Sequence, residues 1–433
     1  MQPTALPTLP GAEPYARLRA ALTGRVAATP LPTERQLQAL WHNATLRPTA
    51  LALPDSTPIE VLNAGRWNAA PGPDFQDALI TLGGIPRRGD IELHLTPADW
   101  DAHHHAGDPA YAKLILHVTW HPGPAAKTLP PALPTLALQP FAEPNGTPFD
   151  FSRLDLSCAP YPPIPPGAGH PCLDRFAQNP TARERLIAAA GLYRLQAKAR
   201  TLAESLRAEG PEQGLYAGIL RAMGYGQNTE PFARLAKELP LARIAPFPPL
   251  QRFAILAGIA GLLTPKKRHL WDLCWQSGLP PPLHPYQWNL RTLRPQNHPL
   301  LRLAGAIGLL QNLPLLTEAP LDKLPKAIEE ASRTLCPALN EKRTPIGPGR
   351  ANAILANLAI PLRIALGTLS PDALVNLPGE TPSMPMRDAW HRLAGTLRNL
   401  PKDALRQQGL LQISHDFCHN PHLTCAQCPI GTP

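Results

Sequence analysis

The sequence predicts an α+β protein, with an N-terminal mixed sheet flanked by helices and then a mostly α-helical C-terminal domain. Three observations carry this. Between Phe75 and Trp120, short apolar or alternating runs are separated by turn residues such as Gly83-Gly84, the signature of strands. From Thr181 onward, apolar residues recur at helical spacing, as at Leu192, Leu195, Leu202 and Leu206. Between these textures prolines dominate, as in Pro130-Pro131-Ala132-Leu133-Pro134 and Tyr161-Pro162-Pro163-Ile164-Pro165-Pro166. The implied organisation is a loosely attached Pro/Ala-rich segment (1–30), an α/β domain (31–145), a Pro-rich connector (146–180), a helical domain (181–414) and a Cys-rich tail (415–433).

Taken in order, Thr33 and Gln36 match a capping box that opens a helix with Leu37, Leu40 and Trp41 as its apolar stripe. Ile59–Leu62 and Phe75–Leu82 read as strands, and Gly83-Gly84 as the turn before Ile91–Leu95. In Thr96-Pro97-Ala98-Asp99, Thr96 reads as an N-cap, and Gly107 is placed to stop that helix. Leu114–Trp120 is apolar on both faces apart from His117 and Thr119, which suits a central strand. A further short strand is expected at Thr135–Gln139. In the second half Thr181 and Glu184 predict a capped long helix. More helices are expected at 211–223, 229–239, 248–263, 298–312, 320–335, 349–367, 384–399 and 401–414. Leu256–Leu263 and Leu303–Leu310 share a small-residue pattern, read as chance similarity of two helices rather than a repeat.

Of the 433 residues, 44% are hydrophobic and 17% charged, as in a folded protein able to bury a core; 57 are proline, implying many loop breaks. No run of 18 apolar residues exists, and the first residues lack the basic start and apolar centre of a signal peptide. The expectation is a cytoplasmic protein with no membrane partner. A net charge of +9 favours a polyanionic partner such as nucleic acid. Seven cysteines, an odd number, argue against a disulfide framework and for thiols or metal ligands.

The chemistry is expected where the strand Ile91–Leu95 alternates. Asp90, Glu92 and His94 fall on one face, opposite Ile91, Leu93 and Leu95. Asp74, at the start of the preceding strand, can converge with Glu92 on a divalent cation, magnesium or manganese. Such a cation activates water and neutralises charge on a phosphate. His94 is a third ligand or a proton acceptor. Asn68, Asp77, His105, Asp108 and His117 are possible supporting groups, and Arg87 and Arg88 lie near enough to meet phosphates. His103 and His104 read as surface residues. The competing structural reading makes Asp74 a turn residue and places Glu92 and His94 on the solvated face of an edge strand.

Cys418, Cys425 and Cys428 form a second candidate, a C-x6-C-x2-C spacing that suits zinc or a four-iron, four-sulfur cluster. Cys172 is the distant choice for a fourth ligand, with Cys158 behind it; His415, His419 and His422 are local ones. In the helical half, Lys266-Lys267-Arg268, Arg291, Arg294, Arg302, Lys342-Arg343 and Arg350 are basic residues that can track a phosphate backbone, with Gly347-Pro348-Gly349 opening a helix.

Residues 30–122 resemble the core of the PD-(D/E)XK phosphodiesterase superfamily. That core runs helix, three strands, helix, strand, with Asp on the second strand and Asp/Glu-x-Lys on the third. Pro73-Asp74 and Glu92-x-His94 stand at those positions, with histidine in place of the usual lysine, which moves metal preference from magnesium towards manganese or zinc. Over most of its length the chain is also similar to the bacterial family known as domain of unknown function 2851. The matching stretches include Gly65-x-Trp67-Asn68, Gly72-Pro73-Asp74-Phe75, Gly89-Asp90-Ile91-Glu92-Leu93-His94, Asp99-Trp100, His103-x-His105, Asp108, Tyr111 and Leu116-His117-Val118. Asn228, Glu230, Phe232, Asn297, Cys172 and Cys425-x-x-Cys428-x-Ile430-Gly431 continue the match. This resemblance implies a common fold and no particular activity. The expected function is a metal-dependent nuclease-like phosphodiesterase. The alternatives are a non-catalytic nucleic-acid-binding or scaffold protein, and a zinc hydrolase on another substrate using His94, His105 and His117.

Overall fold

The computed structural model describes residues 9–23, 32–44, 46–68, 72–103, 105–151, 154, 171–224, 228–282, 285–286, 288–290, 295–369, 371–374, 376–418, 425 and 428–431. The chain divides into an α/β unit, residues 29–163, and a helical unit, residues 1–28 with 164–433.

The α/β unit starts at the expected capping box. Thr33 Oγ1 accepts the Gln36 N–H at 3.1 Å, and Gln36 Oε1 accepts the Thr33 N–H at 3.0 Å. This opens the helix Glu34–His42, whose Leu37, Leu40 and Trp41 are buried. They pack with Phe75, Ile80, Ile91, Leu93, Leu116 and Val118 of a sheet. Its strands are β1 (Leu51–Ala52), β2 (Pro58–Asn63), β3 (Arg66–Trp67), β4 (Phe75–Leu82), β5 (Ile85–His94), β6 (Leu114–Thr119) and β7 (Thr135–Ala137). Their order is β1-β2-β4-β5-β6-β7, with β3 also pairing β4. β2, β4 and β5 run antiparallel, and β6 and β7 join parallel. Gly83 and Gly84, at φ +59° and +81°, supply the positive φ pair that a tight hairpin turn needs.

The expected order of helix, three strands, helix and strand is therefore present. β1 and β3 went unforeseen because two residues are too few to alternate. Thr96 is not the cap of the helix Asp99–Ala102. Asp99 instead reaches back, its Oδ2 accepting the Thr96 N–H at 2.7 Å. Asp77 and Arg88 belong to the frame. The β4/β5 register shifts between Phe75 and Ala78, Asp77 adopts φ +61°, and Arg88 grips its carboxylate at 2.6 and 2.8 Å.

In the helical unit, residues 13–23, expected in a loosely attached segment, form the helix Glu13–Thr23. Tyr15 on this helix is fully buried against Tyr193 and Phe417. The helix Pro180–Glu209 starts from Asn179, whose side chain accepts the Ala182 N–H at 3.0 Å. Pro180 suits the first helical position, so Thr181 lies inside the helix and does not cap it. The later expected helices are found as Pro211–Met223, Thr229–Glu238, Pro249–Ile259, Pro299–Leu310, Leu324–Ser332, Met384–Ala394 and Ala404–Ile413. The helix expected at 349–367 is found as Pro348–Ile354 and Ile360–Ala365, joined without a break by the π-helical segment Leu355–Ala359. Gly258 faces the Cys274 sulfur, and Gly308 faces the Ala331 carbonyl, each too closely for a side chain. The shared small-residue pattern of those two helices thus serves close packing. Among the described residues, no helix is long and apolar enough to cross a membrane.

The helices Pro180–Glu209 and Ala404–Ile413 cross where Gly191 meets the Leu405 carbonyl and Gly409 the Ile187 carbonyl. A Cβ at Gly409 would overlap that oxygen, and backbone cannot swing aside as a side-chain tip can. Gly409→Ala is expected to destabilise the helical unit by about 3 kcal/mol, at the upper end for overpacking. Denaturant unfolding followed by circular dichroism measures this, and an unchanged midpoint would refute the close crossing.

Charge is divided unevenly. Residues 29–163 carry 8 Lys/Arg against 13 Asp/Glu, which leaves 33 against 19 of the chain's 41 and 32 for the helical unit.

Candidate metal centre

β5 and β6 set the site. Their parallel register puts Glu92 opposite His117 and His94 opposite Thr119. Alternation sends these four to the sheet face away from Ile91, Leu93, Leu116 and Val118. A small apolar cluster of Trp100, Ala126 and Leu129, with Tyr111 and Leu114 partly buried against it, lies beside them. The Trp100 ring meets those of His94, His105 and His117 edge-on at 6.5, 5.2 and 5.6 Å. His94 and His117 are fully buried, and Glu92 nearly so.

The loop before β4 delivers Asp74. The Asn68 N–H donates to the Asp74 carbonyl at 2.7 Å, and Asn68 Nδ2 to the Pro73 carbonyl at 3.1 Å. Asn68 is thus a positioning residue. Asp74 Oδ1 accepts from Gln38 Nε2 at 2.6 Å and Oδ2 from the Leu93 N–H at 3.0 Å, while its own N–H donates to Glu92 Oε2 at 3.0 Å. The other Glu92 oxygen, Oε1, is 3.2 Å from His105 Nε2 and 3.7 Å from His94 Nε2. His94 Nε2 is also 3.1 Å from His103 Nδ1 and 3.3 Å from His105 Nε2. Asp74, Glu92 and His94 therefore meet, and two more imidazoles join them. His94, His103 and His105 are close enough to hold one metal ion, their ligand atoms all lying within 4.8 Å of one another.

His117 stands behind this group. Its Nε2 is 2.9 Å from His94 Nδ1, and its Nδ1 is 3.5 Å from Thr135 Oγ1. With His117 Nδ1 protonated towards Thr135, its Nε2 accepts from His94 Nδ1–H, leaving the His94 Nε2 lone pair facing the centre. Burial, and then the neighbouring imidazoles, holds His94 down at about 2; burial and His105 hold His117 at about 4. Both are neutral at physiological pH, the form that ligates. Burial raises the Asp74 carboxyl despite the bonds from Leu93 and Gln38, and burial together with Asp74 raises Glu92. Two acids held up this way are short of positive charge.

The sequence reading missed three residues here. His103 sits at the C-cap of a four-residue helix, where nothing local sets it apart from its neighbour; His104 lies outside the described residues. Glu34, whose Oε1 is 4.0 Å from His103 Nε2, and Gln38 lie one turn apart on the first helix. That polar pair was the available signal. Asp108 is exposed and caps the turn Pro109–Tyr111. Arg87 lies on the wall of a cavity of about 720 Å³ that also includes Trp100, His105, Asp108 and Tyr111.

The helical unit's basic residues separate into two groups. Arg302 bonds the Pro345 carbonyl and Asn297, Arg343 pairs with Glu341, and Arg350 bonds the Ala222 carbonyl, so these hold the fold. Lys266, Arg268 and Lys342 are exposed. Arg291, Arg294, Cys158, His419 and His422 lie outside the described residues.

No curated protein and no solved structure matches the chain. The sequence model of one family matches residues 34–374, which takes in every residue of the centre and most of the helical unit. The chain belongs to that family, described as protein of unknown function DUF2851.

Proposed function

We propose that the α/β unit is a metal-dependent phosphodiesterase acting on nucleic acid, its metal held by Glu92, His94, His103 and His105. The convergence of the His94, His103 and His105 donor atoms, all within 4.8 Å of one another, carries this reading, with Glu92 Oε1 3.2 Å from His105 Nε2 and 3.7 Å from His94 Nε2. Ligand bonds of about 2.0–2.1 Å in a tetrahedron set donors roughly 3.3 Å apart, close to the 3.1, 3.2 and 3.3 Å of the His94–His103, Glu92–His105 and His94–His105 pairs. Three imidazoles beside one carboxylate favour manganese or zinc over magnesium. Such an ion, when bound, polarises a phosphoryl oxygen and makes water acidic. Asp74, against Glu92, is placed to take a proton from the attacking water, and Arg87 to meet a phosphate oxygen. The acidic balance of the α/β unit suits a cation, and the excess of Lys/Arg in the helical unit suits a polyanion. The element order and the positions of Asp74 and Glu92 also follow the PD-(D/E)XK pattern.

A second reading, a zinc hydrolase of a small molecule, is favoured by the cavity of about 720 Å³ whose wall includes His105. Both are tested with purified protein and manganese, zinc or magnesium, on single- and double-stranded DNA and RNA and on nitrophenyl esters. Cleavage of nucleic acid with manganese or zinc is expected. Asp74→Ala and Glu92→Ala should each lower it on the order of a thousandfold, corresponding to the several kcal/mol a metal site supplies. Cutting that survives both changes refutes the site. Ester hydrolysis with nucleic acid left intact establishes the second reading, and metal binding without any turnover establishes a binding protein.

A further inference from the structure

The segment around Ile430 is seated on the start of the helix Pro171–Gln178. Phe417, Pro429 and Ile430 are buried there. Arg175 Nη1 donates to the Ile430 carbonyl at 2.8 Å. Gly431 lies so close that an added Cβ would stand 2.8 Å from Pro171 Cβ and 3.0 Å from the Cys172 nitrogen. This docking brings to one neighbourhood cysteines from positions more than two hundred residues apart in sequence. Cys172, Cys418 and Cys428 all pack, partly buried, against the cluster containing Phe176, Trp390, Leu393 and Phe417. Arg392 links the two segments: its carbonyl accepts the Cys172 thiol at 3.2 Å, and its Nη1 lies 3.7 Å from Cys425 Sγ.

The C-x2-C pair is folded as a tight turn. The Cys428 N–H donates to the Cys425 carbonyl at 3.3 Å, and the Gly431 N–H to the Cys428 carbonyl at 3.0 Å.

We propose that Cys172, Cys418, Cys425 and Cys428 form a thiolate-ligated metal centre that clips the end of the chain to the start of the helix Pro171–Gln178. The ligand set calls for a soft occupant, a zinc ion or an iron–sulfur cluster, both of which are satisfied by four thiolates. The centre lies wholly within the helical unit and does not depend on the chemistry proposed for Glu92 and His94.

The test uses the full chain purified without oxygen, with zinc, iron and acid-labile sulfide measured per chain and a visible spectrum recorded. About one zinc beyond any held at the histidine site, or about four irons with four sulfides, is expected. This metal should be lost in Cys425→Ser and Cys428→Ser and kept in His105→Ala, which separates it from metal at the histidine site. Because a serine variant can fail to fold, native wild-type protein is also treated with iodoacetamide and analysed by mass spectrometry. All four cysteines should resist alkylation until a chelator or oxidant strips the metal. Metal content unchanged by Cys428→Ser, or rapid alkylation of the four thiols in untreated native protein, would overturn the proposal.

Discussion

The His94→Ala protein should keep its fold, lose metal from the α/β unit and fall on the order of a thousandfold in activity. The reason is position. Its imidazole lies in the middle of the donor group: Nε2 faces His103, His105 and Glu92, and Nδ1 faces His117. Removing it takes away one donor and also the ring against which two others are set. His117→Ala tests the same geometry from behind. It touches the site through His94 Nδ1, so it should leave the four donors in place and weaken metal binding by about 10–100-fold. Manganese and zinc titrations of the two variants, with thermal unfolding as the fold control, measure the difference. Equal losses in both variants would mean a hydrogen-bonded stack of histidines rather than a metal centre.

How much of this was legible follows from how local each signal is. Glu92 and His94 could be read because strand alternation is a property of neighbouring residues, and His117 because it interrupts an apolar run. Asp74 was legible from its place ahead of β4, although its bond to Gln38 was not, since that depends on how a helix lies over a sheet. His103 was hidden for a similar reason: its contact with His94 is made by a short helix and the turn after it, which carry almost no periodicity. Asp77 and Arg88 looked like site residues because the β4/β5 bulge, invisible in sequence, turns them into a partnered pair at the surface. The longer helices of the second half were read because long apolar periodicities survive even dense proline, whereas the eight-residue helices Pro171–Gln178 and Arg268–Trp275 were too short to show one. The docking of Glu13–Thr23 was missed because Tyr15 finds its partner, Asp416, 401 residues away.

That partnership supports a second large expected loss of stability outside the site. Asp416, in the π-turn Ser414–Cys418, is buried and surrounded. Its Oδ2 accepts from Tyr15 Oη at 3.0 Å and Gln412 Nε2 at 2.8 Å and lies 3.3 Å from Arg19 Nε; its Oδ1 is 2.8 Å from His415 Nδ1. Burial alone would raise this carboxyl, but His415, Arg19 and Gln412 outweigh it and hold it at about 2. A carboxyl lowered on folding from roughly 3.9 stabilises the native state above that value. The contribution declines as pH falls from about 4 towards 2, where the folded group also takes up its proton. Asp416→Ala should therefore cost the helical unit about 3 kcal/mol at neutral pH, since it leaves Arg19 without its carboxylate and Tyr15 without its acceptor. The gap between variant and wild type should narrow below pH 4. Denaturant unfolding at a series of pH values gives both quantities. A gap that stays constant down to pH 2 would show that Asp416 acts through packing, its charge contributing nothing to the joining of the two ends of the chain.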